Sequence, residues 1–332
     1  MAEGTAAAGP GGRSLDPGLL VRMLRMMQVI RCFEDRVFDL FAKGMISGST
    51  HLCQGQEAVA VGACFALRAD DLMVCTYRGH GACLAKGMGL RAALAEILGR
   101  STGCCGGKGG SMHLADVSVG AMGSFAIVGA GIPVAAGLAW ASRQRGADQV
   151  TLAFFGDGAT NIGAFHEGLN LASIWRLPVV FVCENNLYGE YSPLAATTPV
   201  RDLAVRARSY AMPAAIVDGN DVEEVHRAVG EAVERARRGQ GPTLVECKTY
   251  RHKGHSRSDP ARYRPAGELE RWLARDPILV LGRRLLGAGV LGQGDLDRIE
   301  AEARAEVAEA ERQALADPLP EAARLVADVT VG

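Results

Sequence analysis

The sequence predicts an α/β protein built on a doubly wound, mostly parallel sheet, with additional helices at the N- and C-terminal ends. Three observations carry that reading. Two apolar runs, "VTLAFF" (150–155) and "PVVFVCEN" (178–185), flank a stretch of helical periodicity, "NIGAFHEGLNLASIW" (161–175), the pattern of a βαβ unit with parallel, buried strands. The pattern recurs downstream, where "AAIVDG" (214–219) and "PTLVECKTY" (242–250) bracket an amphipathic helix, "VEEVHRAVGEAVERARRG" (222–239). Hydrophobic residues make up 48% of the 332, enough core for one continuous domain with appended helices, and no internal repeat divides it.

The elements follow in order. Residues 1–13, "MAEGTAAAGPGGR", hold no apolar h-region, so a signal peptide is not expected and 1–15 reads as a disordered tail before a domain spanning 16–332. From Asp16 to Lys43 apolar residues recur three and four apart behind an Asp-Pro start, which predicts a long helix. Residues 54–66 predict a second, more buried helix, and "DLMVCTYRGHG" (71–81) a strand ending in a polar loop. Between Gly99 and Gly123 glycine is too frequent for an ordinary packed element. That stretch is a flexible linker or a loop whose backbone approaches a ligand, and Lys108, Met112 and His113, with the apolar helix that follows at 131–143, favour the loop. Residues 293–315 are dense in Ala, Glu and Arg and predict a solvated helix packed on the body or on a partner chain.

Composition excludes several classes of function. The net charge is −1, from 36 basic and 37 acidic side chains, which gives no electrostatic reason to expect nucleic acid or an anionic membrane as partner. No apolar stretch is long enough to span a bilayer. The nine cysteines show no zinc-type spacing and read as reduced, cytoplasmic thiols.

The chemistry-bearing segment is "FFGDGATNIG" (154–163), where an apolar strand runs into an aspartate flanked by glycines. Glycines there let backbone approach a ligand closely, and polar residues after them suit the N-terminus of a helix, which attracts anions. Asp157 would repel such an anion unless a cation lay between them. In a right-handed βαβ crossover the carboxyl ends of both strands share one sheet edge, so Asp157 lies near Asn185 and Asn186. Oxygen ligands beside a helix N-terminus describe Mg²⁺ or Ca²⁺ carrying a diphosphate. A dinucleotide fold is the rival, since Gly-x-Gly follows a strand and Glu184 ends the next one. Its third glycine is replaced by Asn161, and it has no use for Asp157.

The span from "GDGATN" to "CENN" resembles the thiamine-diphosphate motif. From about residue 20 the chain resembles the α subunit of the two-subunit thiamine-dependent 2-oxo acid dehydrogenases, which include pyruvate and acetoin dehydrogenases. The resemblance rests on "STHLCQGQEAVAVG", "YRGHG", "GGKGGSMH", "AIVGAGIP", "GDGATNIGAFHEGLNLASIWRLPVVFVCENNLYG" and "YRHKGHSRSDP". It implies the thiamine-diphosphate-binding fold and Mg²⁺ ligation by Asp157, Asn186 and the Tyr188 carbonyl. It further implies diphosphate contacts from Tyr77 and Arg78, and backbone contacts from Gly156, Gly158 and Ala159. Ala126 and Val128 fall where backbone meets the aminopyrimidine, with Ala126 replacing a commoner glycine. Arg251 and His255 match a loop that orders over the cofactor, and His51 matches a histidine facing substrate. This leaves His80 and His113 without a role. Ser256 occupies a position that mitochondrial members phosphorylate, while a loop serine with local hydrogen bonds is the favoured reading here.

As the resemblance implies, the chain is the diphosphate half of an α₂β₂ heterotetramer, with the activating glutamate on a separate β subunit. The expected reaction is oxidative decarboxylation of pyruvate, with the acyl group passed to the lipoyl arm of an acyltransferase. The alternatives are cleavage of acetoin and, from another class, a non-catalytic nucleotide-binding protein. The loop at 250–264 is expected to be mobile without cofactor, because its composition gives it little means of burying itself.

Overall fold

In a computed structural model, which describes residues 15–327, the chain forms a six-stranded sheet in the order β2-β1-β3-β4-β8-β7, every neighbouring pair parallel. The strands are β1 (Leu72–Thr76), β2 (Ala121–Phe125), β3 (Thr151–Gly156), β4 (Val179–Asn185), β7 (Ala214–Asp218) and β8 (Thr243–Lys248), while β5 (Tyr188–Gly189) and β6 (Ser192–Pro193) form a separate two-residue antiparallel ladder. The expected tail at 1–15 lies outside the described residues except for Leu15, which is half-buried against the core.

The period of two along each strand distributes side chains between two cores. Leu152, Phe154, Val180, Val182, Val245 and Cys247 face one layer, which holds α1 (Pro17–Ala42), α2 (Glu57–Cys64), α3 (His80–Lys86), α4 (Leu90–Ile97), α8 (Val222–Arg237), α10 (Pro277–Gly287) and α11 (Gln293–Ala316). Ala153, Phe155, Val179, Phe181, Cys183 and Leu244 face the other, against α5 (Gly131–Gln144), α6 (Gly163–Ile174) and the short α7 (Leu194–Thr197), while the short α9 (Glu268–Leu273) buries none of its residues. Helices on both faces explain why β3 and β4 read as unbroken apolar runs rather than alternating ones.

The N-terminal helix starts as its sequence dictates: Pro17 opens it and the Asp16 carboxylate accepts the Leu19 N–H at 2.9 Å. The charged C-terminal helix α11 packs on α1 through Ile299, Ala303 and Val307, with Arg25–Glu306 and Arg36–Glu311 ion pairs alongside. It therefore packs on the body of its own chain.

Two elements differ from expectation. The 99–123 stretch, expected as a loop throughout, runs into strand β2 at Ala121. Its glycines approach an internal carboxylate: Glu96, buried in α4, accepts the N–H groups of Cys105 (2.7 Å), Gly107 (2.8 Å), Gly109 (2.6 Å) and Gly110 (3.1 Å). A Cβ at Gly103 would lie 2.4 Å from that carboxylate. In addition, the helix after β3 begins only at Gly163, since residues Asp157–Asn161 form a 3₁₀ turn, closed by the Thr160 hydroxyl donating to the Asp157 carbonyl at 2.8 Å. The α-helix N-terminus therefore starts six residues beyond Asp157.

Candidate functional site

The chain runs from β1 to one side of the sheet and returns to β3 on the other, so the carboxyl ends of β1 and β3 open a crevice at the topological switch point, where doubly wound sheets bind ligands. A cavity of about 460 Å³ lies there. It gathers every residue that the family resemblance assigned to the site: His51, Tyr77, Arg78, Ala126, Val128, Gly156, Asp157, Gly158, Ala159, Asn186, Tyr188, Arg251 and His255; Asn185 instead turns its amide to Glu246 at 2.6 Å. They arrive from six separated segments, brought together by the parallel strand ends and by the loops that border them.

Asp157 is the electrostatic focus. It is 1% exposed, and neither carboxylate oxygen makes a well-formed hydrogen bond. Burial pushes its carboxyl up to about 6, opposed by backbone N–H groups of its own residue and Asn186 and by the Arg251 guanidinium. Asn186 Oδ1 is likewise buried without a partner. Three orphaned hard oxygens at one sheet edge fit a divalent cation of the Mg²⁺ or Ca²⁺ type. The backbone that carries them is held in an unusual conformation: Leu187, with φ 73°, turns the chain between Asn186 and Tyr188 while its N–H donates to Asn185 Oδ1 at 3.2 Å. Tyr188 turns its hydroxyl to Glu268 at 2.6 Å.

Opposite the carboxylate stand two buried guanidinium groups. Arg251 is pushed down to about 10 by burial and by the positive charge of Arg78. Cations buried against each other call for an anion between them. Arg78 also ties two loops together, donating from Nη1 to the Leu52 carbonyl at 2.7 Å and from Nη2 to the His255 carbonyl at 2.8 Å.

The histidines are arranged as a cluster. His51 packs on Tyr77 with ring centroids 4.4 Å apart and on His255 at 4.8 Å. Burial and the charge of Arg78 push His51 down to about 3 and His255 to about 4, with Arg251 adding to both. Both rings are neutral at pH 7. His51 Nδ1 has no partner, and His255 Nδ1 faces Arg251 Nη1 at 3.1 Å.

Sequence reasoning passed over Gln56 and used Glu184 only in the rejected dinucleotide reading. Gln56 Nε2 donates to Glu184 Oε1 at 3.0 Å, and its Oε1 accepts from Asn186 Nδ2 at 3.2 Å. Glu184 lines the cavity and burial raises it to about 7. The signal was present in "QGQEA": Gly55, at φ 94°, has no room for a Cβ, which would lie 2.4 Å from the Tyr250 carbonyl, so glycine lets the 54–56 segment rest on the 250–252 loop.

Two open residues find places. His80 is fully buried between Glu34 (2.9 Å) and Ser111 (Oγ, 2.9 Å), with Glu34 holding its imidazole above the usual range. It joins α1, α3 and the glycine-rich loop outside the cavity. His113 is exposed, with Nδ1 3.0 Å from the Gly109 carbonyl.

The 250–264 loop buries itself more than its composition suggested. Arg251 is 2% exposed and donates to the Glu190 carbonyl at 3.0 Å and the Tyr263 hydroxyl at 3.3 Å. The loop backbone also bonds to Gln54 and Thr50, and the Arg257 guanidinium lies 3.5 Å over the Phe38 ring. Ser256 makes a local contact, 3.1 Å from Ser258 Oγ.

The fold and this cavity define an α/β protein with a polar ligand site at its switch point, furnished for a cation and an anion together. The chain belongs to the dehydrogenase E1 component family, whose profile matches residues 25–323. It is 49% identical over 257 residues to the acetoin:2,6-dichlorophenolindophenol oxidoreductase α subunit of Bacillus subtilis, an alignment covering 77% of each chain. With the protein of the same description from Cupriavidus necator it shares 44% over 318 residues, 96% of each. With the pyruvate dehydrogenase E1 component α subunit of Rhizobium meliloti it shares 41% over 310 residues, 93% of this chain and 89% of the relative. It is thus an α subunit of the thiamine-diphosphate-dependent 2-oxo acid dehydrogenase family and an oxidoreductase, in a family that implies thiamine diphosphate as cofactor and a β subunit as partner. No helix among the described residues is long and apolar enough to cross a membrane.

Proposed function

We propose that the cavity binds the diphosphate of thiamine diphosphate through Mg²⁺ held by Asp157, Asn186 and the Tyr188 carbonyl. The observation that carries this reading is the set of buried, unpartnered oxygens of Asp157 and Asn186 facing the same cavity as Arg78 and Arg251. Tyr77, Gly156, Gly158 and Ala159 border the diphosphate end, and Ala126 and Val128 the ring end. When bound, the cofactor would supply an ylid, a nucleophile for a carbonyl carbon and a sink for the electron pair released there. This chain's residues orient it and exclude water. His51 and His255, neutral at pH 7, donate hydrogen bonds to substrate oxygens or move protons at their free ring nitrogens.

The reading continues to a heterotetramer, α₂β₂. On the side of α5 and α6, Val134, Trp140, Leu171, Ile174 and Trp175 are exposed, the two indoles 6.5 Å apart, and exposed Val128 leads from there into the cavity. An apolar face of this kind suits a permanent partner. The β subunit would cover it and complete the site with the activating glutamate.

For substrate, acetoin stands first and pyruvate second, because two acetoin relatives reach 49% and 44% identity against 43% and 41% for pyruvate relatives from Oryza sativa and Rhizobium meliloti. The acyl product would pass to a lipoyl acyltransferase. The test is a reconstituted α/β complex assayed with acetoin, pyruvate and branched 2-oxo acids, using dichlorophenolindophenol as electron acceptor with thiamine diphosphate and Mg²⁺. Turnover of acetoin above pyruvate supports the order given. Turnover of pyruvate alone reverses it, and activity independent of added cofactor and Mg²⁺ in metal-stripped protein sinks the site assignment.

A further inference from the structure

Seven of the nine cysteines are buried, and only the adjacent pair Cys104 and Cys105 is partly open to solvent. Their Sγ atoms stand 4.0 Å apart, and a Glu96 oxygen lies within 4.8 Å of both. The pair sits on the loop that Glu96 organises. Cys105 Sγ–H donates to the His113 carbonyl at 3.3 Å, and the preceding residue, Met112, lines the cavity.

We propose that Cys104 and Cys105 form a two-thiolate chelating site for a soft, thiophilic cation of the monovalent-copper or divalent-cadmium class, and that its occupancy lowers activity through the adjoining cavity wall. The geometry separates this from a disulfide. Adjacent residues across a trans peptide have Cα atoms about 3.8 Å apart, short of the roughly 4.4–6.8 Å that disulfides span. A metal bound to two sulfurs at about 2.3 Å each, with an angle near 120° between them, holds those sulfurs about 4 Å apart, the separation found here. Binding releases one proton from each thiol and forms two metal–sulfur bonds, with no change of oxidation state.

Glu96 does not compete as a ligand, because each of its oxygens already accepts two backbone N–H groups. The third position is left to a small molecule from solution. Hard Mg²⁺ is a poor competitor for thiolates. The hydrogen bond between the two thiols pushes Cys105 down and Cys104 up, so the cation must itself displace the Cys104 proton. Cys75 and Cys83 show similar spacing, 3.9 Å, but are buried and out of reach of an ion from solvent.

The experiment uses the reconstituted α/β complex with Mg²⁺ and thiamine diphosphate present, and cadmium as probe. The expected result is a sulfur-to-cadmium absorption band that saturates at one ion per α chain. Turnover with dichlorophenolindophenol should fall in step with the band and return when a dithiol chelator is added. Cys104→Ser and Cys105→Ser should each abolish the band and the inhibition, while Cys32→Ser should leave both. A band that persists in the double variant, or that never forms, overturns the site. A full band with unchanged turnover overturns its inhibitory role.

Discussion

Gln56 fixes which atom Asn186 presents to the cavity. Its Oε1 accepts the Asn186 amide N–H at 3.2 Å, which leaves Asn186 Oδ1 as the free end. A second bond, from Gln56 Nε2 to Glu184, fixes the orientation of Gln56 in turn. Gln56 is thus a positioning residue for an oxygen ligand. Gln56→Ala should weaken Mg²⁺-dependent binding of thiamine diphosphate by about tenfold, as removal of supporting shells around metal ligands does. Calorimetry on the α/β complex checks this, and an unchanged affinity would show that Asn186 holds its orientation unaided.

Asp157 ties cofactor binding to stability. A carboxyl raised to about 6 in the fold, against an ordinary value near 3.8, disfavours the folded state increasingly as pH climbs through that interval. The effect is complete above about pH 6 and amounts to about 3 kcal/mol. In the metal-free complex, Asp157→Asn should therefore melt at a higher temperature than wild type at pH 8, and at the same temperature near pH 4. Adding Mg²⁺ and thiamine diphosphate should reverse the order at pH 8, since only wild type keeps the anionic ligand. Thermal melts at the two pH values, with and without cofactor, decide it.

Much of this was legible because strands and turns announce themselves locally. The runs at 150–155 and 178–185 form neighbouring strands, and Asp157 stands at the end of the first because a buried strand must end where its apolar run ends. What stayed hidden depends on distant partners. Nothing local to "GRSTGCCGG" says that its glycines wrap the carboxylate of Glu96, and nothing local to "RHKGHSRSDP" says that Arg257 finds Phe38. Strand β2 was missed for a related reason. "AMGSF" is short and carries a glycine, and its identity as a strand comes from pairing with β1.

Glu96 offers a sharp substitution. Glu96→Gln keeps volume but replaces an acceptor of two N–H groups by an NH₂ that confronts two donors. The loss should be about 3 kcal/mol or more, from weakened charge-assisted bonds and two stranded N–H groups. Trypsin should then cut after Lys108 faster than in wild type. Equal cleavage and an equal melting temperature would mean that the loop holds its shape without that carboxylate.

The imidazole of His255 should report on its cationic neighbours. It is held at about 4 by burial, then by Arg78 and Arg251. A histidine depressed in this way is neutral in the fold, and the stability it contributes is present above about pH 6.5 and is lost as pH falls toward 4. Arg251→Gln removes one of the two positive charges and should move the titration of His255 upward. Diethylpyrocarbonate modifies neutral imidazole, so at pH 5.5 the modification attributable to His255, taken by difference from His255→Gln, should be slower in Arg251→Gln than in the parent. An unchanged rate would mean that burial and Arg78 set its protonation without Arg251.

Arg78 connects the cavity to the loop that borders it. Its two Nη atoms reach the carbonyls of Leu52 and His255, which lie on segments about two hundred residues apart in the chain, and only a planar fork holds two such acceptors at once. Arg78→Lys keeps the charge and retains at most one of these bonds. The 50–54 segment and the 251–259 loop then lose a shared anchor, although Thr50 and Gln54 still bind the loop backbone. Two effects should appear together in the variant: weaker binding of thiamine diphosphate, and faster tryptic cleavage after Lys253 and Arg257. Weaker binding with unchanged cleavage would mean that Arg78 acts on the diphosphate alone, and faster cleavage with unchanged binding would confine it to holding the loop.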